Sequence, residues 1–502
     1  MCPYAYLTPF YAIVILLFLS SSTFAQHDPV QVKADSLANS TKSGEEVKVL
    51  IGNFQFYQGS LTGKAERAIQ YPQRNVVELF GNVVIRQDTL SLTAPHLIYD
   101  GNAQLAKADG HIQLNDRDDH VTSDWMTYNM ASGIAEFHKG PTEGVRAIQG
   151  NTTLTCQDLT YIRGTQTMIS KGKVRVVNDS GMLTCDTLFD ARSIGERTAI
   201  GNVKASNDSL IIYCSNLFES QHDKKTVATI NVQAYSKANN TIQFGDSLIR
   251  DGNTGHTLVP KNPLLFIIDS SHKTDSLTHA DTLVFDTLRI KSKTMEAFTG
   301  DSAKFIATDS VILQRSNFSG TCGKLIYYRS DSLLTMFGSK RQRIWYDSTE
   351  IDGDSIVMFQ RNNKPERIIA IGHAFATSPS TDSGVIGRVS QLSSRTMILN
   401  IVKDTIRTLL AVDNALSIYF VSDNGKPNGL NRASGDTIRI DFEKNAARRI
   451  VVLSGTENEY WPDRYIGHRA AAFRLGNYER FYEFRPRIEA FTLNWTPVAL
   501  MD

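Results

Sequence analysis

The side chains that could do chemistry are few and thinly spread. The eleven histidines, among them His96, His111, His120 and His138, include no His-x-x-x-His pair. No helix could therefore present two imidazoles to one metal ion. Asn115–His120 (NDRDDH) gathers carboxylates as a calcium loop does, but lacks that loop's glycine and closing glutamate. It reads as a solvated turn. Asp352 and Asp354 flank a glycine, and Asp354 belongs to a repeated corner position. Of five cysteines, Cys156, Cys185, Cys214 and Cys322 stand singly, with no CxxC. They read as small buried apolar side chains, although in an oxidising compartment neighbouring copies could pair. GxSxG, HExxH, the P-loop and a strand-linked GxGxxG are all missing from the sequence. These residues point to a protein that is not an enzyme, with no metal and no cofactor.

Composition narrows the class further. The 502 residues are 41% hydrophobic and 21% charged, which suits a folded chain. Lys plus Arg is 53 and Asp plus Glu is 52, so the formal net charge is +1. Basic residues are dispersed and form no stripe for nucleic acid.

The elements that must position any site are short strands in a repeat. Apolar residues alternate along the chain, with almost no helical period. Stacked copies read LTAPHLIY from Leu92, VTSDWMTY from Val121, LTCQDLTY from Leu154, LTCDTLFD from Leu183 and IYCSNLFE from Ile212. Weaker copies start at Gln243, Thr278, Gly320, Ile351 and Ala433. The sixth residue is apolar throughout: Leu97, Met126, Leu159, Leu188, Leu217, Leu248, Leu283, Leu325, Ile356 and Ile438. The first five are spaced by 29, 33, 29 and 29 residues, and the last gap of 82 has room for one or two degraded copies.

The third residue is always small, as at Ala94, Ser123 and Cys156, which marks a crowded inward slot. The fourth is often Asp (Asp124, Asp186, Asp246, Asp281, Asp354, Asp436), which suits a corner. Third and sixth residues cannot share a face of a regular strand. A bulge between them restores the inward direction and sends each repeat onto two sheets. Glycines at Gly81, Gly110, Gly172 and Gly201 mark unit starts and permit a tight turn between layers.

The ends differ from the array. Ala12–Leu19 is an apolar run of eight, followed by small residues up to Ala25. Residues 1–25 read as a secretory signal peptide, although Met1–Tyr11 lacks Lys and Arg. Residues 26–45 are polar and expected to be flexible. Residues 377–384 (TSPSTDSG) are the linker candidate. Repeats occupy 46–376 and, in degraded form, 385–456. Residues 457–502 are rich in aromatics and arginine, and read equally as a docking segment or a cap on the last layer.

The copy Gly81–Asp100 (GNVVIRQDTLSLTAPHLIYD) resembles the OstA/LptA-like family of periplasmic lipopolysaccharide-transport proteins. Gly81, Val83, Ile85, Leu92, Ala94, Leu97 and Tyr99 carry the pattern. Gly172, Val174, Val176, Leu183, Cys185 and Leu188 match in a second copy. The resemblance covers residues 50–375 well and reaches 455 weakly. The length and the aromatic end look like the longer OstA-like proteins of the Bacteroidetes type.

The resemblance implies an all-β, V-shaped jellyroll of two facing antiparallel sheets, in the periplasm or associated with the outer membrane. The implied ligand is lipopolysaccharide, held by its lipid A acyl chains. The implied partners are other lipopolysaccharide-transport proteins, through strand-edge pairing, and the outer-membrane translocon. Exposing acyl chain to water costs about 0.8 kcal/mol per CH₂, so an apolar groove is a sensible carrier. Groove candidates are Val83, Ile85, Leu92, Leu97, Val121, Leu154, Leu159, Val174, Val176, Leu183, Leu188 and Leu217. A closed core wants the same pattern. A parallel β-helix acting on polysaccharide and an adhesive repeat protein are the competing readings.

Overall fold

The computed structural model describes residues 30–498, apart from 142–143, 275–280, 301–302, 381–386, 424–425, 444–445 and 477. The apolar N-terminal run and residues 381–386 lie outside the described residues. Two units are distinguished, Met1–Gly133 and Ile134–Asp502. Every strand pairing given for the described residues is antiparallel. A parallel β-helix is therefore not the fold.

In the first unit, strands Glu45–Gln58, Leu61–Tyr71, Val76–Gln87, Leu90–Asp100, Leu105–Asp116 and Asp119–Asn129 each pair with the next. Gln31–Lys33 and Ser36–Lys42, within the stretch read as flexible, both pair with Glu45–Gln58. All side chains of Ser36–Lys42 are exposed, and backbone hydrogen bonds with the Lys42–Glu78 ion pair at 3.1 Å hold it there.

A crease runs through almost every long strand. Between Gly181–Ala191 and Glu196–Ser206 the register shifts between Thr184 and Thr187. Between Glu196–Ser206 and Leu210–Ser220 it shifts between Ile200 and Val203. Burial shows what the crease does: Leu183 and Cys185 before it, and Leu188 and Asp190 after it, are all buried on one side. Each strand thus contributes to two arms whose inner faces carry the same apolar rows. The glycines sit at this crease within strands, where turns between layers were expected. Gly201 and Asn202 have φ of +79° and +47°. A Cβ on Gly201 would lie 2.4 Å from Asp186 Oδ2. The Asp column explains that closeness: the Asn202 side-chain amide donates to Asp186 Oδ2 at 2.8 Å. The corner Asp therefore braces the neighbouring strand.

The second unit continues the pattern, with two corrections to the stack. The 82-residue gap holds one further copy on Val389–Val402, with Ser394 in the small slot and Met397 fully buried in the sixth position. The Thr278 copy is out of register. Leu264–Thr274 and Asp281–Lys291 form an 11-pair hairpin, on which Leu283 is 47% and Phe285 61% exposed. The inward residues of that copy are Ser292 and Met295.

The C-terminal segment packs against the array well beyond its last layer. It runs back along the outer face of the first arm as a strap. Ile466 and Leu475 pack with Phe375, Ile418, Phe420 and Leu430. The Phe481 N–H donates to the Glu350 carboxylate at 3.0 Å, and Arg343 lies over the Phe481 ring at 3.8 Å. Phe491 packs with Ile242, Phe244 and Leu264. The strap ends where Val498 and the Gln233 side chain exchange two 3.0 Å hydrogen bonds. These outer residues alternate with the inward ones: Phe375 lies between the buried, inward Ala374 and Ala376. None of the described helices is long and apolar enough to cross a membrane.

Candidate functional site

The inner rows of the second unit bring the predicted residues together. Leu154 pairs with Val176, Val176 with Leu183, Leu183 with Ala205 and Ala205 with Ile212, forming one row on the first arm. Leu159, Ser170, Leu188, Ala199 and Leu217 form a second row just beyond the crease. Val174 faces Cys185 between the rows. In the first unit, Ile85 pairs with Leu92, Val83 with Ala94, and Leu97 with Leu79. Val121 pairs with Leu114. All twelve candidates are buried, from 0% exposed at Leu188 to 7% at Leu183.

Much of the inner face is closed by packing, but not all of it. A cavity of about 390 Å³ lies between the arms. The first arm contributes Val176, Leu183 and Ile212 to its wall, and the second contributes Leu217. Its volume falls in the range of about 300–1,000 Å³ usual for small-molecule sites. Three of the twelve predicted residues, Val176, Leu183 and Leu217, line it.

A second feature of this cavity was not anticipated. In the stacked copies the eighth residue is Tyr99, Tyr128 and Tyr161, and then Asp190, Glu219 and Arg250. The strand register joins these last three across five strands: Asp190 faces Arg197, Arg197 faces Glu219, Glu219 faces Thr226, and Thr226 faces Arg250. A charged row thus interrupts an apolar face beside the cavity. Arg197 Nη2 contacts Asp190 Oδ2 at 3.4 Å, and Arg192 Nε contacts the same oxygen at 3.5 Å. Burial pushes the Glu219 carboxyl above its ordinary value, Arg197 opposes this, and Asp190 adds to it. The signal was present in the sequence as a change of residue type in one column.

The other chemically capable residues are accounted for structurally. The four cysteines are free and buried. Burial pushes the Cys156 and Cys214 thiols up to about 12 and Cys185 to about 11, so they stay neutral. Val174 and Val203 stand on the strands next to Cys185 and Cys214. The repeat cysteines are therefore two strand spacings apart, about 9–10 Å, beyond disulfide reach of about 7 Å. Histidines pair with carboxylates, His96 with Asp109 at 2.8 Å and Glu78 at 3.4 Å, and His138 with Asp158 at 2.8 Å. The NDRDDH turn is less solvated than its composition suggests. Asp116 and Asp119 are buried, and Thr89 Oγ1 donates to Asp116 at 2.6 Å. Asp352 is an ion-pair partner of Arg343 at 3.5 Å. Among the described residues no three His, Cys, Asp or Glu side chains are placed to hold a metal.

Comparison with known proteins covers the N-terminal part of the array and reaches only the first strands of the cavity. Residues 29–186 match the family described as OstA-like protein. A search of curated proteins gives no match. Among solved structures the chain is similar to LptH from Pseudomonas aeruginosa, the LptA-homologous periplasmic component of a lipopolysaccharide transport device. Identity is 15%, over 30% of this chain and 94% of that one, with a TM-score of 0.16.

Proposed function

We propose that the protein is a non-enzymatic, periplasmic carrier that shields lipopolysaccharide acyl chains between its two arms and hands them toward the outer membrane. The observation that supports this reading is the cavity between the arms, whose wall carries an apolar strip of Val176, Leu183, Ile212 and Leu217 among polar and charged residues. A closed core would have filled that space, because protein interiors pack with few voids. An acyl chain there leaves water at about 0.8 kcal/mol per CH₂. No bond need break, and among the described residues no metal cluster sits at the cavity. The match of residues 29–186 to the OstA-like family supports the same class of cargo. In this reading Leu154, Leu159, Val174 and Leu188 continue the path within the second unit. Edge strands offer unpaired backbone groups to other lipopolysaccharide-transport proteins and to the translocon.

The test is binding of fluorescently labelled lipopolysaccharide by the purified full chain. Leu183→Asp, in the cavity wall, should weaken binding at least tenfold with the fold retained. Phe189→Asp, at a 38% exposed position, should leave it unchanged. Equal binding by both variants and the wild type would contradict the reading.

A further inference from the structure

The charged row has a consequence that a purely hydrocarbon path does not need. A carrier of acyl chains alone would keep its inner face apolar, as the row does elsewhere: on the later strands, Tyr327, Leu334 and Met358 occupy it in register. Beside the cavity it changes to Asp190, Arg197, Glu219, Thr226 and Arg250. The cavity wall itself carries Arg197, Lys224 and Arg250 against one carboxylate, Glu219. Asp190 is already engaged by Arg192 and Arg197. The Arg197 side chain is 20% exposed and lies in the cavity wall. Buried charge is retained where something pairs with it, and guanidinium groups suit phosphate and carboxylate oxygens in particular.

We propose that this cavity binds an anionic amphiphile, with its chain against Leu183, Ile212 and Leu217 and its phosphate or carboxylate held by Arg197 and Arg250 with Lys224. This rests on the reading of the interior as a lipid path and adds to it an anionic group drawn between the arms. The site therefore selects cargo by charge as well as by chain. Glu219 lies between the two arginines in the row, and Arg197, Lys224 and Arg250 outnumber it in the wall.

The experiment uses the full chain and measures binding of decyl phosphate, decanoate, decanol and inorganic phosphate by calorimetry. Decyl phosphate or decanoate should bind at least tenfold more tightly than decanol, and the better of the two anions identifies the headgroup. The preference should vanish in Arg197→Gln/Arg250→Gln, with decanol affinity unchanged within twofold. Arg250→Gln alone, at a half-buried position, should reduce the preference with an unaltered melting curve. Equal affinity for the anions and decanol, or a preference that survives in the double variant, would overturn the site while leaving the carrier reading intact. Inorganic phosphate binding as tightly as decyl phosphate would also overturn it. Failure of every chain-bearing probe to bind would overturn both.

Discussion

Residues 167–220 and residues 318–443 are built on the same creased repeat, yet they differ on the outside of the first arm. In the earlier stretch the outer positions Thr184, Lys204 and Tyr213 are half-buried and alternate regularly with inward neighbours. In the later stretch the equivalent positions hold Trp345, Glu350, Asp352, Phe375 and Phe420, exposed by 4% or less. The inner rows are buried in both. The difference is the strap, which reaches back as far as Gln233. The open cavity lies largely beyond its reach, on strands from Thr167–Asn178 to Leu210–Ser220. The repeat supplies an inner face throughout. A distant segment stiffens one stretch from outside and leaves the other with a single covered face.

The contrast can be broken at the outer positions first. Phe375→Ala should cost about 3–5 kcal/mol, the usual range for a buried aromatic, whereas Tyr213→Ala should cost under about 1 kcal/mol. Urea denaturation of the two variants reads the difference, and equal costs would mean that the strap adds nothing. The inner positions should ignore the contrast. Leu188→Ala and Leu325→Ala should each lose about 2–5 kcal/mol, since both are fully buried. A much smaller loss at Leu188 would show that the cavity extends past it.

The crease should be equally region-blind. Gly201 and Gly372 have φ of +79° and +76°, and added Cβ atoms would lie 2.4 and 2.3 Å from the oxygens of Asp186 and Asp354. Alanine at either should cost about 1–3 kcal/mol, read from the same denaturation curves. The smallest effect is at the cavity. Folding favours protonated Glu219, so its contribution to stability falls as pH rises from the ordinary carboxylate value through the raised folded value. Glu219→Gln should therefore raise the melting temperature slightly at neutral pH. The gain should disappear below the ordinary carboxylate range. A gain that is constant with pH would contradict the assignment.

The inner face was legible because its signal is local and periodic. The small slot and the sixth residue recur at nearly fixed spacing, and Leu97, Leu159 and Leu188 are buried as that pattern requires. The copy at Thr278 failed because alternation alone cannot separate a hairpin with exposed apolar residues from a creased strand. The charged row was visible in the eighth column, but needed the register to become a continuous line across strands. The strap was the least legible element. Its terminal contact joins Gln233 to Val498, 265 residues apart, and such pairs leave no periodic trace. The one local clue is the apolar character of outer positions such as Phe244, Trp345 and Phe375, where alternation breaks down.

The central claim is that the space between the arms at the cavity is a path for lipid. A photoreactive residue in place of Leu217, with another in place of the exposed Phe189, can be irradiated in cells and the protein probed for lipopolysaccharide. An adduct at Leu217 and none at Phe189 is the predicted result. No adduct at Leu217 in a folded protein, or equal adducts at both positions, would contradict the account.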